Sequence, residues 1–263
     1  DTLFGSASAE VQKKADNAYK TAGMSANEYM ETVTGFSASL IQSLGGDTEK
    51  GAKYADMAIT DMSDNANKMG TDMSLIQNAY QGFAKQNYTM LDNLKLGYGG
   101  TKEEMERLLE DASKISGIKY DISSYADIVD AIHVVQTEMG ITGTTAKEAS
   151  TTIQGSISSM KSAWQNLLTG LADENADLDV LVTNMIESVG TVVENVLPKI
   201  SVAAEGIVSI IQNLIPQIPP LIEQLLPPLL DGALSLIQGL VTILPEITST
   251  ITGMLPSVLT SLV

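Results

Sequence analysis

Two hydrophobic rhythms divide the chain. Up to about Asp179, apolar positions recur every three or four residues behind legible helix starts. In "MSANEYM", Ser25 stands as an N-cap with Glu28 three residues on, and Met24 is placed to staple against Tyr29. "GGTKEEMERLLEDASKI" repeats the device with Thr101 and Glu104, after which Met105, Leu108, Leu109, Ala112 and Ile115 share one helical face. A third box, Thr145 with Glu148, opens a segment running through Ile153, Ile157, Met160 and Trp164. Between them, "LIQNAYQGFAKQNYTMLDNL" and "YADIVDAIHVVQTEMG" are amphipathic and closed by glycine. Alternation with a period of two is nearly absent, which predicts an all-α chain, elongated, with helices joined by short Gly/Thr turns.

The second rhythm is aliphatic and punctuated by proline. Pro198, Pro216, Pro227, Pro245 and Pro256 are separated by 18, 11, 18 and 11 residues. At about 3.6 residues per turn these steps are close to five and three whole turns, so the prolines mark one stripe. Each sits in an apolar, Pro, any, apolar frame, and stepping back finds the frame without proline in "IESV" and "LTGL". Because an interior proline removes a hydrogen bond and clashes with the preceding turn, the close pairs Pro219–Pro220 and Pro227–Pro228 predict a break in the rod, with cleaner helix on both sides. A helix this apolar has to be covered, which predicts self-association or confinement within another protein. The predicted oligomer or lumen-facing positions are Leu168, Leu171, Ile186, Val189, Leu197, Ile200, Ile215, Ile218, Leu226, Leu229, Leu244, Ile247, Leu255 and Val258. The charge-free runs Gly206–Ile222 and Ile247–Val263, 17 residues each, contain proline and fall short of a membrane span.

Composition sharpens the division. All tyrosines and phenylalanines precede residue 126 and all prolines follow residue 197, so the predicted regions are 1–179 and 180–263, parted at "GLADENADLD". A formal charge of -17 repels phosphate backbones, so no specific nucleic-acid binding is expected. The chain has no cysteine, and it opens on Asp1 without the pattern of a signal peptide, as expected of an internal or processed piece of a longer polypeptide.

Candidate chemistry is sparse. His133 is the single histidine, and Glu138 lies five residues on, off its helical face; a structural histidine is expected. "GYGGTK" lacks the phosphate-loop spacing and is expected to be a turn with a cap. "DMSDNANKMG" does not follow the calcium-loop order of ligands and is expected to be a solvated loop or helix face. Met57, Met62, Met69 and Met73 are expected to fill a helical interface. With no GxSxG or HExxH motif, no enzyme activity, metal or cofactor is expected.

The segment from about Met57 to Asp179, in which "GGTKEEMERLL", "ITGTTAKEA" and "MKSAWQNLLTGLAD" occur in order, resembles the tape measure proteins of long-tailed phages and prophages of Gram-positive bacteria. The resemblance implies a helical structural protein that occupies the tail tube, sets its length, docks on the tail tip and leaves ahead of the genome. It also implies homo-oligomers, with three copies as the expectation, and as partners the tail tube and the distal tip hub proteins. Localisation would be the virion tail near its tip, after assembly in the host cytoplasm. Contact with the host membrane during ejection, as a conduit for DNA, is the alternative role.

Overall fold

The computed structural model describes residues 2–174, 176–214 and 218–261, with side chains at 2–174, 176–200, 223–246 and 249. Among them are eleven α-helices and no strand, so the protein is all-α. A 3-10 turn at Gly5–Ala7 leads into α1 (Ser8–Thr21), followed by α2 (Ala26–Thr34), α3 (Ser37–Ser43), α4 (Thr48–Met69) and α5 (Met73–Phe83). Then come a 3-10 turn (Leu91–Leu94), α6 (Lys102–Ser116), α7 (Tyr125–Glu138), α8 (Thr144–Thr151), α9 (Ile153–Gly170), α10 (Leu178–Leu214) and α11 (Ile218–Ser261). The chain forms two compact units, Asp1–Pro198 and Lys199–Val263.

In the first unit α4 is the axis, touching α1, α2, α3, α5, α7 and α8. Ala52, Ala55, Ala58, Ile59 and Met62 bury its apolar face, and the alanines leave room for neighbours to approach closely. Tyr19, Tyr29, Tyr80, Phe83, Leu40 and Ile76 are almost completely buried around it. Each contributes about 1.5–3 kcal/mol of apolar burial, which is why the aromatic residues are concentrated in this half of the sequence. Met62 is buried, and Met57, Met69 and Met73 pack against the same core.

The local start signals are realised to different degrees. Ser25 and Glu28 form a complete capping box, and Met24 and Tyr29 are buried in one core. Thr101 caps α6 by accepting from the Glu104 amide, but the Glu104 carboxylate turns back to the Gly99 amide and to Arg107. The third box does not form. Helix α8 starts at Thr144 with Gly143 as its N-cap, and the Thr145 amide donates 2.8 Å to Asp64 of α4 instead. Nor does one helix continue past it: Thr152 leaves the helical conformation and caps α9 by accepting from the Gly155 amide. The amphipathic run after α5 also breaks, since Gln86 takes a positive φ of 56° and the chain turns before Leu91.

The first unit extends past the composition boundary near residue 179. Helix α10 begins there, but its first turns dock on the unit. Lys20 pairs with Glu187 at 2.6 Å, Ser188 is buried, and the Asn195 amide donates to the carbonyls of Ser150 and Thr152.

In the second unit, the break predicted across Pro219–Pro228 is absent. Ile218–Ser261 is one helix. Pro219 and Pro220 sit in its first turn, where the missing N–H groups have no helical acceptor, so they start the helix and do not break it. Pro227, Pro228, Pro245 and Pro256 lie inside it, as Pro198 lies inside α10, and there each forgoes one ladder hydrogen bond.

Candidate functional site

Two features of the described residues stand out chemically: a buried polar hub on α4 and the exposed aliphatic surface of the later helices. The hub is built by the segment expected to be a solvated face. Asp61, Ser63, Asp64 and Asn65 are buried, because each side chain reaches a backbone or ring partner from a distant element. Asp61 lies 2.9 and 3.0 Å from Nδ1 of His133 on α7. Asp64 accepts from the amides of Gly143 and Thr145, supplying the N-cap that α8 lacks locally. The Asn65 amide donates to the Leu94 carbonyl, and the Ser63 hydroxyl to the Ala22 carbonyl. Most of these desolvated atoms regain a partner, which keeps the cost of burying them low; the Asn65 Oδ1 is the exception, buried without one among the described residues.

Around Asp61 the electrostatics follow burial. Loss of water pushes its carboxyl up to about 6, even though His133 favours the ionised form. The Asp61 carboxylate in turn holds His133 above its ordinary value against partial desolvation. Burial also raises the phenols of Tyr80 and Tyr125, keeping them neutral. Among the described residues, their hydroxyls and the Gln136 amide are buried without hydrogen-bond partners, although Gln136 lies near enough to Tyr80 to hold its phenol slightly lower. The Asp61–His133 pair ties α4 to α7. Among the described residues no cluster of His, Cys, Asp or Glu is arranged to hold a metal.

"GYGGTK" is a turn held from α6. Arg107 donates to the Gly97 carbonyl and lies 4.3 Å above the Tyr98 ring, while a Cβ at Gly100 would sit 2.3 Å from the Thr89 carbonyl oxygen. No anion-binding nest is needed to explain its glycines.

The predicted interface positions fall on the other feature. Leu168 on α9, Leu171 just past its end, Ile186, Val189, Leu197 and Ile200 on α10, and Leu226, Leu229 and Leu244 on α11 are all exposed. Ile215 and Pro216 lie outside the described residues, and the side chains of Ile218, Ile247, Leu255, Val258 and Pro256 are likewise outside them. Sequence reasoning marked only part of the surface: Leu225, Leu230, Leu234, Leu236, Ile237, Leu240, Val241 and Ile243 are also at least half exposed. Their common signal was the near absence of charge between Glu223 and Glu246, interrupted by Asp231. Leu178–Ile200 and Glu223–Glu246, of 23 and 24 residues, are long and apolar enough to cross a membrane by length and composition. The predicted charge-free runs differ from these spans and lie mostly outside the described side chains.

No family model, no curated protein and no solved structure matches this chain.

Proposed function

We propose that this chain is a segment of a phage tail tape measure protein: a non-enzymatic assembly component, associated with copies of itself, that occupies the tail tube near the tip. The observation that carries the reading is the apolar helix α11, whose described side chains from Glu223 to Glu246 are all exposed. Water is a poor solvent for such a surface, and a tube lumen or neighbouring copies would cover it. The 18- and 11-residue proline steps keep one face in register, as a length-setting rod requires. An excess of acidic residues also suits a protein that must not hold on to passing DNA.

Deleting Gln217–Pro245, one 29-residue repeat, from the full-length protein tests the reading directly. Electron microscopy should show virion tails shortened by one discrete step of up to roughly 44 Å, the length of such a helix. Tails of unchanged length would remove this segment from the ruler.

A second reading has its own support in the two helices of membrane-spanning length. In it, these segments enter the host membrane during ejection and line a conduit. Leakage of dye from neutral liposomes by the full chain, abolished by Leu229→Glu with Leu240→Glu, would favour it.

A further inference from the structure

Three helices of the first unit each bring a polar side chain into its core that the fold does not fully satisfy. Tyr80 on α5, Gln136 on α7 and Asn65 on α4 are all at 0% exposure. Among the described residues the Tyr80 hydroxyl, both polar atoms of the Gln136 amide and the Asn65 Oδ1 make no hydrogen bond. The Asn65 Nδ2 donates to the Leu94 carbonyl, which fixes the orientation of its amide.

These atoms lie in one neighbourhood. Gln136 is near enough to Tyr80 to act on its phenol, and the Asp61 carboxylate acts on the same phenol through space. The place of Asn65 follows from the register of α4 and α7. Asp61 meets His133, while Tyr54, two turns earlier on α4, lies near Asp127 and Asp130, so the two helices run in the same direction. Asn65 is one turn beyond Asp61 and Gln136 one turn beyond His133, which brings the two amides level. Tyr125 carries a further unpartnered hydroxyl, but it stands three turns, about 16 Å, before Gln136 along α7 and is not part of this group.

A phenol hydroxyl both donates and accepts, the Gln136 amide offers a donor at one end and an acceptor at the other, and the Asn65 Oδ1 accepts. A molecule that joins them must itself donate and accept, and it must be small enough for a close-packed core. It must also be neutral, since an ion without a partner of opposite charge would not repay its desolvation there. Water meets all three conditions. Without it, four desolvated atoms would offset a large part of the stability of a domain, although Phe at residue 80 and Met at residue 136 would fill similar space at no polar cost.

We infer that Tyr80, Gln136 and Asn65 enclose a structural water site, a polar joint between α4, α5 and α7 one turn beyond the Asp61–His133 pair. Three protein partners are the usual number for a buried water, and such waters occur roughly once per 27 residues, so the first unit has room for this one among several.

Magnetic relaxation dispersion of the water oxygen counts long-lived internal waters in the full chain and is blind to exchanging hydroxyl protons. Tyr80→Phe with Gln136→Met nearly conserves volume and removes the polar atoms, so the dispersion amplitude should fall by one water while the far-ultraviolet spectrum stays native. An amplitude equal to that of the unaltered chain, in a variant that keeps the native spectrum, would overturn the site. Should the double variant not fold, the unaltered chain decides. A crystal structure fine enough to show ordered solvent should place a water within hydrogen-bond distance of the Tyr80 hydroxyl and the Gln136 amide. A direct Tyr80–Gln136 bond with no water beside it would overturn the inference.

Discussion

The Asp61 carboxylate and Nδ1 of His133 lie 2.9 Å apart although 72 positions separate them in the sequence. They join α4 to α7 inside the core, and the pair gives the first unit a definite pH dependence. Both groups hold their protons more tightly in the fold than in the unfolded chain, Asp61 up to about 6 through burial and His133 through the carboxylate beside it. Asp64 and Asp130 face the same ring and add to its shift.

Because the folded state binds more protons across that interval, stability should fall as pH rises from about 4 through the raised pKa of His133. The loss continues above pH 6.5, where an unfolded histidine is already neutral. Chemical denaturation between pH 5 and 9 should show it. Asp61→Asn should flatten the profile, and His133→Ala should cost about 2 kcal/mol at neutral pH by leaving a buried carboxylate unpaired. A steeper profile in Asp61→Asn would assign the dependence to another group.

Asp64 caps a helix from a distance. Its two oxygens accept from the Gly143 and Thr145 amides at 2.6 and 2.8 Å, and Asp64→Ala would leave both donors without that acceptor. A loss of about 2–3 kcal/mol is expected, with Asp64→Asn intermediate because its amide keeps one acceptor oxygen. Thermal unfolding would measure both, and hydrogen exchange should show faster exchange at the start of α8.

That cap also shows where local reading of the sequence ends. Ser25 and Glu28 are three residues apart and satisfy each other, so their box was legible; Thr145 and Glu148 have the same spacing, but Asp64 offers the amide a buried carboxylate that a side chain on the helix itself cannot match. "DMSDNANKMG" looked like a solvated face for the same reason, as its partners His133, Gly143, Leu94 and Ala22 are remote in sequence. The helical class was readable because it follows from hydrophobic periodicity alone. The continuity of α11 through its prolines was not, since a pairwise cost per proline does not say where a long helix will tolerate it.

Glycine substitutions should separate a packing requirement from an unused freedom. A Cβ at Gly155 would lie 2.3 Å from the Glu148 carbonyl oxygen, where α8 and α9 approach, whereas a Cβ at Gly190 in α10 would meet nothing within 4 Å. Gly155→Ala should therefore lower the melting temperature by several degrees. Gly190→Ala should raise stability by about 0.5–1 kcal/mol through its helix propensity. Equal effects at the two sites would show that the α8–α9 approach is not as close as described.

The register of the second unit supplies a test that separates rotation from length. Within α11, removing Leu234–Leu244 takes out 11 residues and turns everything beyond by only about 20°, while removing Leu234–Gln238 takes out five and turns it by about 140°. Neither deletion touches a proline. If α11 packs against neighbouring copies along a fixed stripe, the smaller deletion misaligns Pro245 and the positions after it, whereas the larger keeps them in line at the cost of a shorter helix. On the tape measure role proposed above, fewer complete virions should therefore be recovered from the five-residue deletion than from the eleven-residue one, counted by electron microscopy and plaque titre. A yield that follows the number of residues removed would mean that length alone matters here and that no stripe is being read.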